Sequence, residues 1–265
     1  MSWEEIKEMP KLRYIKEWNI IPVEYDSPFY HLPKWGTPAF PTIVIGTPST
    51  DYLAFFCKDG SLDKTMYSDK VPSDLFKVRH WTPTGANGAA YVGSDDLLFL
   101  GNFSKEKTAA ELSKILLASV AAVLAGNGLR VQLSPYGENR NDLYIKIGDK
   151  LKKFLGFVIT DMGDWYSMGA MITFDSRIDK IKDMWKIDSE NITKKGDVSD
   201  LSDIIGGLDE AKTGLDKIKI ADDIAAELAK RLELTLSVEG FTDIEMEKMD
   251  ELKPVLNSDK WFFDL

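Results

Sequence analysis

Up to about Asn102 the hydrophobic positions fall in short runs rich in Val, Ile, Phe and Tyr, broken by Gly, Pro and Asp. That pattern predicts strands at Arg13–Lys16, Ile20–Val23, Thr42–Ile45, Leu53–Phe56, Ala89–Val92 and Leu97–Leu100. The last two bracket Gly93-Ser94-Asp95 and read as a pair of strands around a turn. The prolines between Asp26 and Pro41 predict an extended surface connection. The period then changes. From Ser104 to Ala125, Leu112, Ile115, Leu116, Val120, Val123 and Leu124 recur at helical spacing. Ser104 is the expected cap of this helix, and Gly126-Asn127-Gly128 its stop. Strands follow at Arg130–Leu133, Leu143–Ile147, Lys153–Ile159 and Tyr166–Phe174, with Gly148-Asp149 and Gly163-Asp164 as turns. Ile178–Met184 reads as a short helix, Ala221–Leu232 as an amphipathic helix, Leu234–Val238 as a strand and Asp243–Leu252 as a last helix. The sum is an α+β chain without internal repeats. It is expected to form one domain over residues 1–265, with a core at about 10–185 and a helical C-terminal layer at about 186–265. A split near residue 185 is the alternative.

Charge and composition narrow the partners. The net charge is -10, and the only basic clusters are Lys150/Lys152/Lys153 and Lys194/Lys195. That is too little for a duplex footprint, so no nucleic-acid partner is expected. The single cysteine, Cys57, excludes an internal disulfide and fits a reducing compartment. The N-terminus MSWEEIKEMPKL is acidic and has no apolar run of the signal-peptide kind. Leu116–Ala125, the longest apolar stretch, is about half of what a membrane span needs. A cytoplasmic protein without a membrane partner is expected.

Three segments can carry chemistry. Lys152 and Lys153 are adjacent on a strand, so their side chains leave opposite faces. Phe154, Leu155, Phe157 and Val158 make the surroundings apolar, and a lysine directed into a pocket there can hold phosphate and polarise a carbonyl. The plain alternative is a pair of solvated strand-edge lysines. Asn141-Asp142 stands just before a strand and can send an amide and a carboxylate into one site, or simply close a turn. The loop from Thr82 to Tyr91, preceded by Arg79, has small residues at Gly85, Gly88 and Ala89 that let backbone N–H groups approach an anion. Its spacing is neither a P-loop nor a dinucleotide fingerprint, and an ordinary surface loop reads the same way. His31 and His80 have no partners at metal-ligand spacing.

In order along the chain, these segments resemble the lipoate–protein ligase A family of the biotin/lipoate ligase and octanoyltransferase superfamily. That family carries Arg-Arg-x-x-Gly-Gly-Gly-Ala-Val-x-His-Asp. Arg79, Gly85, Gly88, Ala89 and Tyr91 are similar to it, with extra residues between arginine and glycines. Its Asn-Asp is matched by Asn141 and Asp142, and its catalytic Lys-x-x-Gly by Lys153 to Gly156, which selects Lys153 over Lys152. A later strand glycine is matched by Gly169, and Val198-Ser199-Asp200-Leu201 resembles its Val-x-Asn-Leu. The resemblance runs from about Thr42 to Leu201.

The resemblance implies a mixed or antiparallel central sheet flanked by helices, a biotin/lipoate-ligase-like catalytic domain. It implies ATP and Mg as cofactors, lipoate or octanoate as substrate, and Lys153 as the catalytic residue. Arg79, Gly85, Gly88, Ala89, Tyr91, Asn141, Asp142, Gly156 and Gly169 are implied to line the ATP and acyl site, with Asp142 also near Mg. The implied acceptor is a lipoyl domain, of a 2-oxoacid dehydrogenase E2 or a glycine cleavage H protein. A separate accessory protein is a further implied partner. The chain departs from the family at Val92-Gly93, where the family has His-Asp, and at Met168, where it has histidine. These departures leave open a non-catalytic relative that binds lipoyl proteins or an acyl ligand. An ATP-independent octanoyl or lipoyl transferase pairs a cysteine with the lysine, and Cys57 lies outside the segment where that nucleophile stands. Biotin ligation is disfavoured, since no Gly-Arg-Gly-Arg-type loop is present.

Overall fold

The structure, a computed structural model, describes residues 10–20, 41–55, 67–79, 89–134, 141–186 and 201–256. Its strands are β1 (Lys11–Ile20), β2 (Thr42–Pro48), β3 (Tyr52–Phe55), β4 (Phe76–Arg79), β5 (Ala89–Val92) and β6 (Leu97–Ser104), then β7 (Val131–Leu133), β8 (Asp142–Ile147), β9 (Lys150–Asp161), β10 (Trp165–Ile172) and β11 (Thr235–Glu239). The α-helices are α1 (Ala109–Gly126), α2 (Ile178–Ile181), α3 (Leu208–Ala211), α4 (Lys217–Leu232) and α5 (Asp243–Leu256).

Eight strands form one sheet in the order β11-β1-β2-β6-β10-β9-β8-β7, and β4-β3-β5 form a second, smaller one. The large sheet is mixed: β11–β1 and β1–β2 are parallel, and its other pairs are antiparallel. This is the α+β arrangement that the sequence predicts. One expectation fails. β5 and β6 do not pair with each other; β5 joins β3 in the small sheet, while β6 lies between β2 and β10 in the large one. The Gly93–Asp96 turn therefore carries the chain from one sheet to the other. Its geometry is fixed by Asp96, whose carboxylate accepts from the Gly93 N–H at 2.8 Å and the Phe174 N–H at 2.9 Å.

The two faces of the large sheet bury different things. On one face Ile43, Ile45, Phe99, Leu155, Met168, Ala170 and Ile172 meet α1 and α4 in the main core. α4 contributes Ile220, Ala221, Ile224, Ala225, Leu228 and Leu232, a helical stripe in which each fully buried Ile or Leu side chain stabilises the fold by about 1.5–3 kcal/mol. On the other face Ile15, Val44, Leu98 and Leu100 pack against Tyr52, Ala54 and Val92 of the small sheet.

α1 begins later than its apolar period suggests. Ser104 ends β6, and Thr108 is the cap: its hydroxyl accepts from the Glu111 N–H at 3.3 Å, and Glu111 accepts from the Thr108 N–H at 2.8 Å. A Thr-x-x-Glu box outcompetes a lone serine because it satisfies donors at both ends. Gly128 then stops the helix at φ +80°. By length and composition α1 could cross a membrane, but Leu112, Leu116, Val120 and Leu124 are buried against the sheet.

The C-terminal segment is tied into the large sheet as well as laid over it. β11 pairs with β1 in register from Lys11–Thr235 to Ile15–Glu239. α5 then docks through a buried ion pair. Arg13 is 1% exposed and Glu245 0%, and the guanidinium donates to both carboxylate oxygens at 2.6 and 2.7 Å. Glu245 also accepts from the Thr242 N–H at 2.7 Å while the Thr242 hydroxyl accepts from the Glu245 N–H at 3.2 Å, so the acid of the capping box of α5 is the one that holds it to β1.

Candidate functional site

Lys153 and Gly156 lie three apart on β9, so in a regular strand they would leave opposite faces. The register shows otherwise. Asp142 pairs with Gly156 and Leu143 with Leu155, but Tyr144 pairs with Lys153. Phe154 is the extra residue of a β-bulge. Phe154 and Leu155, adjacent in sequence, both enter the main core. The bulge thereby returns Lys153 to the face of Asp142 and Gly156. There the Lys153 ammonium lies 2.7 Å from Asp142 Oδ1, with the lysine side chain 31% exposed and the carboxylate 14%.

Gly156 is what lets the lysine lie across the strand. A Cβ at that position would stand 2.7 Å from Lys153 Nζ, 2.8 Å from Cε and 3.2 Å from Asp142 Oδ1. Asn141 meets the same row through its backbone, its carbonyl accepting from the Phe157 N–H at 3.1 Å. Gly169 is in register with Val158, one row further along the same face. Gly156, Val158, Gly169 and Met171 are all half-buried. They form a low apolar floor beside the small sheet, with the Lys153–Asp142 pair at one end. A floor of small and apolar residues with one ammonium at its end suits an aliphatic acid whose carboxyl group lies at the lysine.

Tyr91 is not part of this group. It pairs with Leu53, and both pack with Met184, Ile178 and Trp185 on the face of the small sheet turned away from the large one. Its hydroxyl donates to Asp51 at 2.6 Å. Arg79 ends β4 and Ala89 opens β5, both in register with Phe55, so their backbones flank one row of the small sheet. Gly85, Gly88, His31, His80, Cys57, Lys194, Lys195 and Val198 to Asp200 lie outside the described residues. Among the described residues no group of three or more His, Cys, Asp or Glu could hold a metal.

The sequence reading missed Arg177. Its guanidinium bridges Asp51, Asp95 at 2.6 Å and Asp175 at 3.7 Å. Burial pushes the Asp51 carboxyl up, but hydrogen bonds from Tyr91, Ser94 and Arg177 outweigh it and hold it well below the usual carboxylate range. Burial, then the bond to Asp51, pushes Tyr91 up to about 12. Arg177 also lies over Gly93, where a Cβ would stand 2.8 Å from Cζ. The position at which the resemblance expects an aspartate is thus filled by an arginine from elsewhere in the chain. Met168, where the resemblance expects histidine, is buried in the helix-side core, on the face opposite Lys153.

No protein-family model and no curated protein sequence matches the chain. Solved structures do. The fold, a mixed eight-stranded sheet flanked by helices, is that of the lipoate–protein ligases. The chain is similar, with a TM-score of 0.76 and 14% identity over 96% of each chain, to a structure of the archaeal lipoylation system of Thermoplasma acidophilum, described as a bi-partite lipoate protein ligase and its E2 lipoyl domain. It is similar to lipoate-protein ligase A bound with ATP, with a TM-score of 0.71 and 14% identity over 96% of this chain and 98% of that one. Against LipL1 of P. falciparum in complex with lipoate, the TM-score is 0.65 and the identity 11%, covering 97% of this chain and 74% of that one.

Proposed function

We propose that the chain is an ATP-dependent lipoate– or octanoate–protein ligase. The observation that carries the reading is the Lys153 ammonium, held by Asp142 above Gly156 at the end of an apolar floor, in the fold of lipoate–protein ligases. In the first step a carboxylate oxygen of the acid attacks the α-phosphorus of ATP. The bond to the β-phosphate oxygen breaks, and pyrophosphate leaves. In the second step the neutral amine of an acceptor lysine attacks the acyl carbon, AMP leaves, and the amide nitrogen gives its spare proton to solvent. Lys153 donates to the α-phosphate and acyl oxygens, where charge develops in both steps. Asp142 aims the ammonium, and its carboxylate would hold the Mg²⁺ accompanying the nucleotide, since that ion takes carboxylate and phosphate oxygens.

The acceptor proposed is a lipoyl domain, and the similarity to a bi-partite ligase supports a separate accessory protein. We read residues 1–265 as one catalytic domain acting in the cytoplasm, where ATP is supplied. Purified chain, ATP and lipoate should release pyrophosphate, and an apo lipoyl domain should gain the mass of one acyl group, with the accessory protein added if the chain alone is inactive. Lys153→Ala should abolish both while leaving the melting temperature unchanged. Near-wild-type transfer by that variant would sink the assignment. The filling of the Gly93 position by Arg177 favours a second reading, a non-catalytic relative that binds an acyl ligand or a lipoyl protein. Calorimetry separates the two: heat with the lipoyl domain and none with ATP selects the second.

A further inference from the structure

The backbone of Lys153 is held by a device that the bulge alone does not explain. β10 ends at Ile172, opposite Leu155, so it does not reach Lys153. The vacant edge is taken by residues 204–206. The Lys153 N–H donates to the Ile204 carbonyl at 2.6 Å, and the Gly206 N–H donates to the Lys153 carbonyl at 3.0 Å, forming a parallel bridge to Ile205. Lys153 is thus fixed from both sides, by Tyr144 on β8 and by this segment.

The segment is itself anchored by the neighbouring lysines. Lys150 and Lys152 leave β9 on the face opposite Lys153. Lys150 pairs with Asp203, and Lys152, whose side chain is 14% exposed, pairs with Glu210 at 3.1 Å. Glu210 in turn accepts from the Gly207 N–H at 2.8 Å. Leu208 is fully buried, and the Leu208 and Asp209 N–H groups donate to the Thr173 and Phe174 carbonyls at 3.0 Å. Gly206 lets the segment lie flat on the strand, since a Cβ there would stand 2.7 Å from Ile147 Cδ1 and 2.8 Å from Lys152 Cδ. The three lysines therefore divide the work: two hold the clamp, and the clamp sets the third.

We propose that residues 203–210 are a clamp that fixes the reach of Lys153, with Lys152 and Glu210 as its positioning residues. The proposal rests on the ligase reading of Lys153. A reacting group displaced by about 1 Å commonly loses one to two orders of magnitude in rate, while binding of the substrates is spared.

The test measures pyrophosphate release with ATP and lipoate by the full chain, with the accessory protein present for every variant if the wild-type chain alone is inactive, together with its melting curve. Lys152→Met keeps the length of the side chain and removes the charge. It should lower kcat about tenfold or more, with KM for ATP and for lipoate within about twofold and the melting temperature unchanged. Lys152→Arg should keep most of the rate. Gly206→Ala should repeat the kcat loss; if it fails to fold, Lys152→Met still decides. Lys105→Ala, which breaks an exposed ion pair to Asp161 at the far end of β9, is the control and should leave the rate intact. An inactive Lys153→Ala beside a fully active Lys152→Met overturns the clamp and spares the ligase reading. An active Lys153→Ala overturns the ligase reading and the clamp's catalytic role with it. A loss equal in Lys105→Ala and Lys152→Met also overturns the clamp.

Discussion

Gly156→Ala separates the requirements of the site from those of the fold. The new Cβ would stand 2.7 Å from Lys153 Nζ and 2.8 Å from Cε. Comfortable contact begins at about 3.5 Å, so the ammonium must retreat by roughly 1 Å. The atoms that move are the free end of a long side chain, so the fold is little strained. Replacing glycine also restricts the unfolded chain, which offsets the strain by about 0.4–1 kcal/mol. The net change in stability should stay within about 1 kcal/mol. The retreat breaks the 2.7 Å contact with Asp142 and moves the charge from where the proposed function needs it to meet the acyl-adenylate. A displacement of that size should cost about a hundredfold in the rate of pyrophosphate release. Parallel melting curves and stopped-time assays on the purified variant test both halves. An intact rate would show that the position of the lysine over Gly156 is immaterial. A drop in stability of more than about 2 kcal/mol would show that the strand, not the side chain, yields.

Two further predictions concern the fold. Glu245→Gln removes the buried carboxylate charge that both terminal nitrogens of the Arg13 guanidinium face, leaving only the half-buried Glu239 at 3.4 Å from Nε, and should destabilise the chain by about 3 kcal/mol in urea titration at neutral pH; a loss below about 1 kcal/mol would refute burial of the pair. Burial raises the Asp96 carboxyl from 3.8 to about 7, against the hydrogen bonds from the Gly93 and Phe174 N–H groups. The folded chain then keeps a proton that the unfolded chain has released between about pH 4 and pH 7, so this group's contribution to stability falls as pH rises through that window. Asp96→Asn should flatten the decline in melting temperature between pH 4 and pH 7, and an unchanged slope would count against the shift.

Most strands and helices are legible because they depend on local period, and Lys153 and Asp142 stand out through short motifs that resemble the ligase family; β4, only four residues long, is not among the predicted strands, and the Lys153–Asp142 ion pair is a finding of the structure. Asp142 and Gly156 fall opposite each other through a tight turn at Gly148, so their proximity follows from hairpin geometry. The bulge was not read, although it leaves a trace: Phe154 and Leu155 are both large and apolar where a strand should alternate. α1 starts after Thr108 rather than Ser104 because the capping box Thr108-x-x-Glu111, also present in the sequence, fixes a helix start more strongly than apolar period does. The split of β5 and β6 between two sheets was hidden by a turn that resembles a hairpin. Arg177–Asp51 and Arg13–Glu245 join residues 126 and 232 positions apart, and no local pattern encodes such a contact.

A nascent chain carries β1 long before β11 exists. At ordinary rates of synthesis, roughly 200 residues separate them by about 10 to 40 s. During that time the outer edge of β1 is an open template for another chain, and its Leu12, Tyr14 and Ile15 would favour such pairing. Lys11, Arg13 and Lys16 interrupt that run with positive charge, a feature that discourages edge-to-edge aggregation. Their partners, Glu239, Glu245 and Asp222, are all made late. The same three cations thus guard the strand while it waits and close the sheet when the last part of the chain arrives.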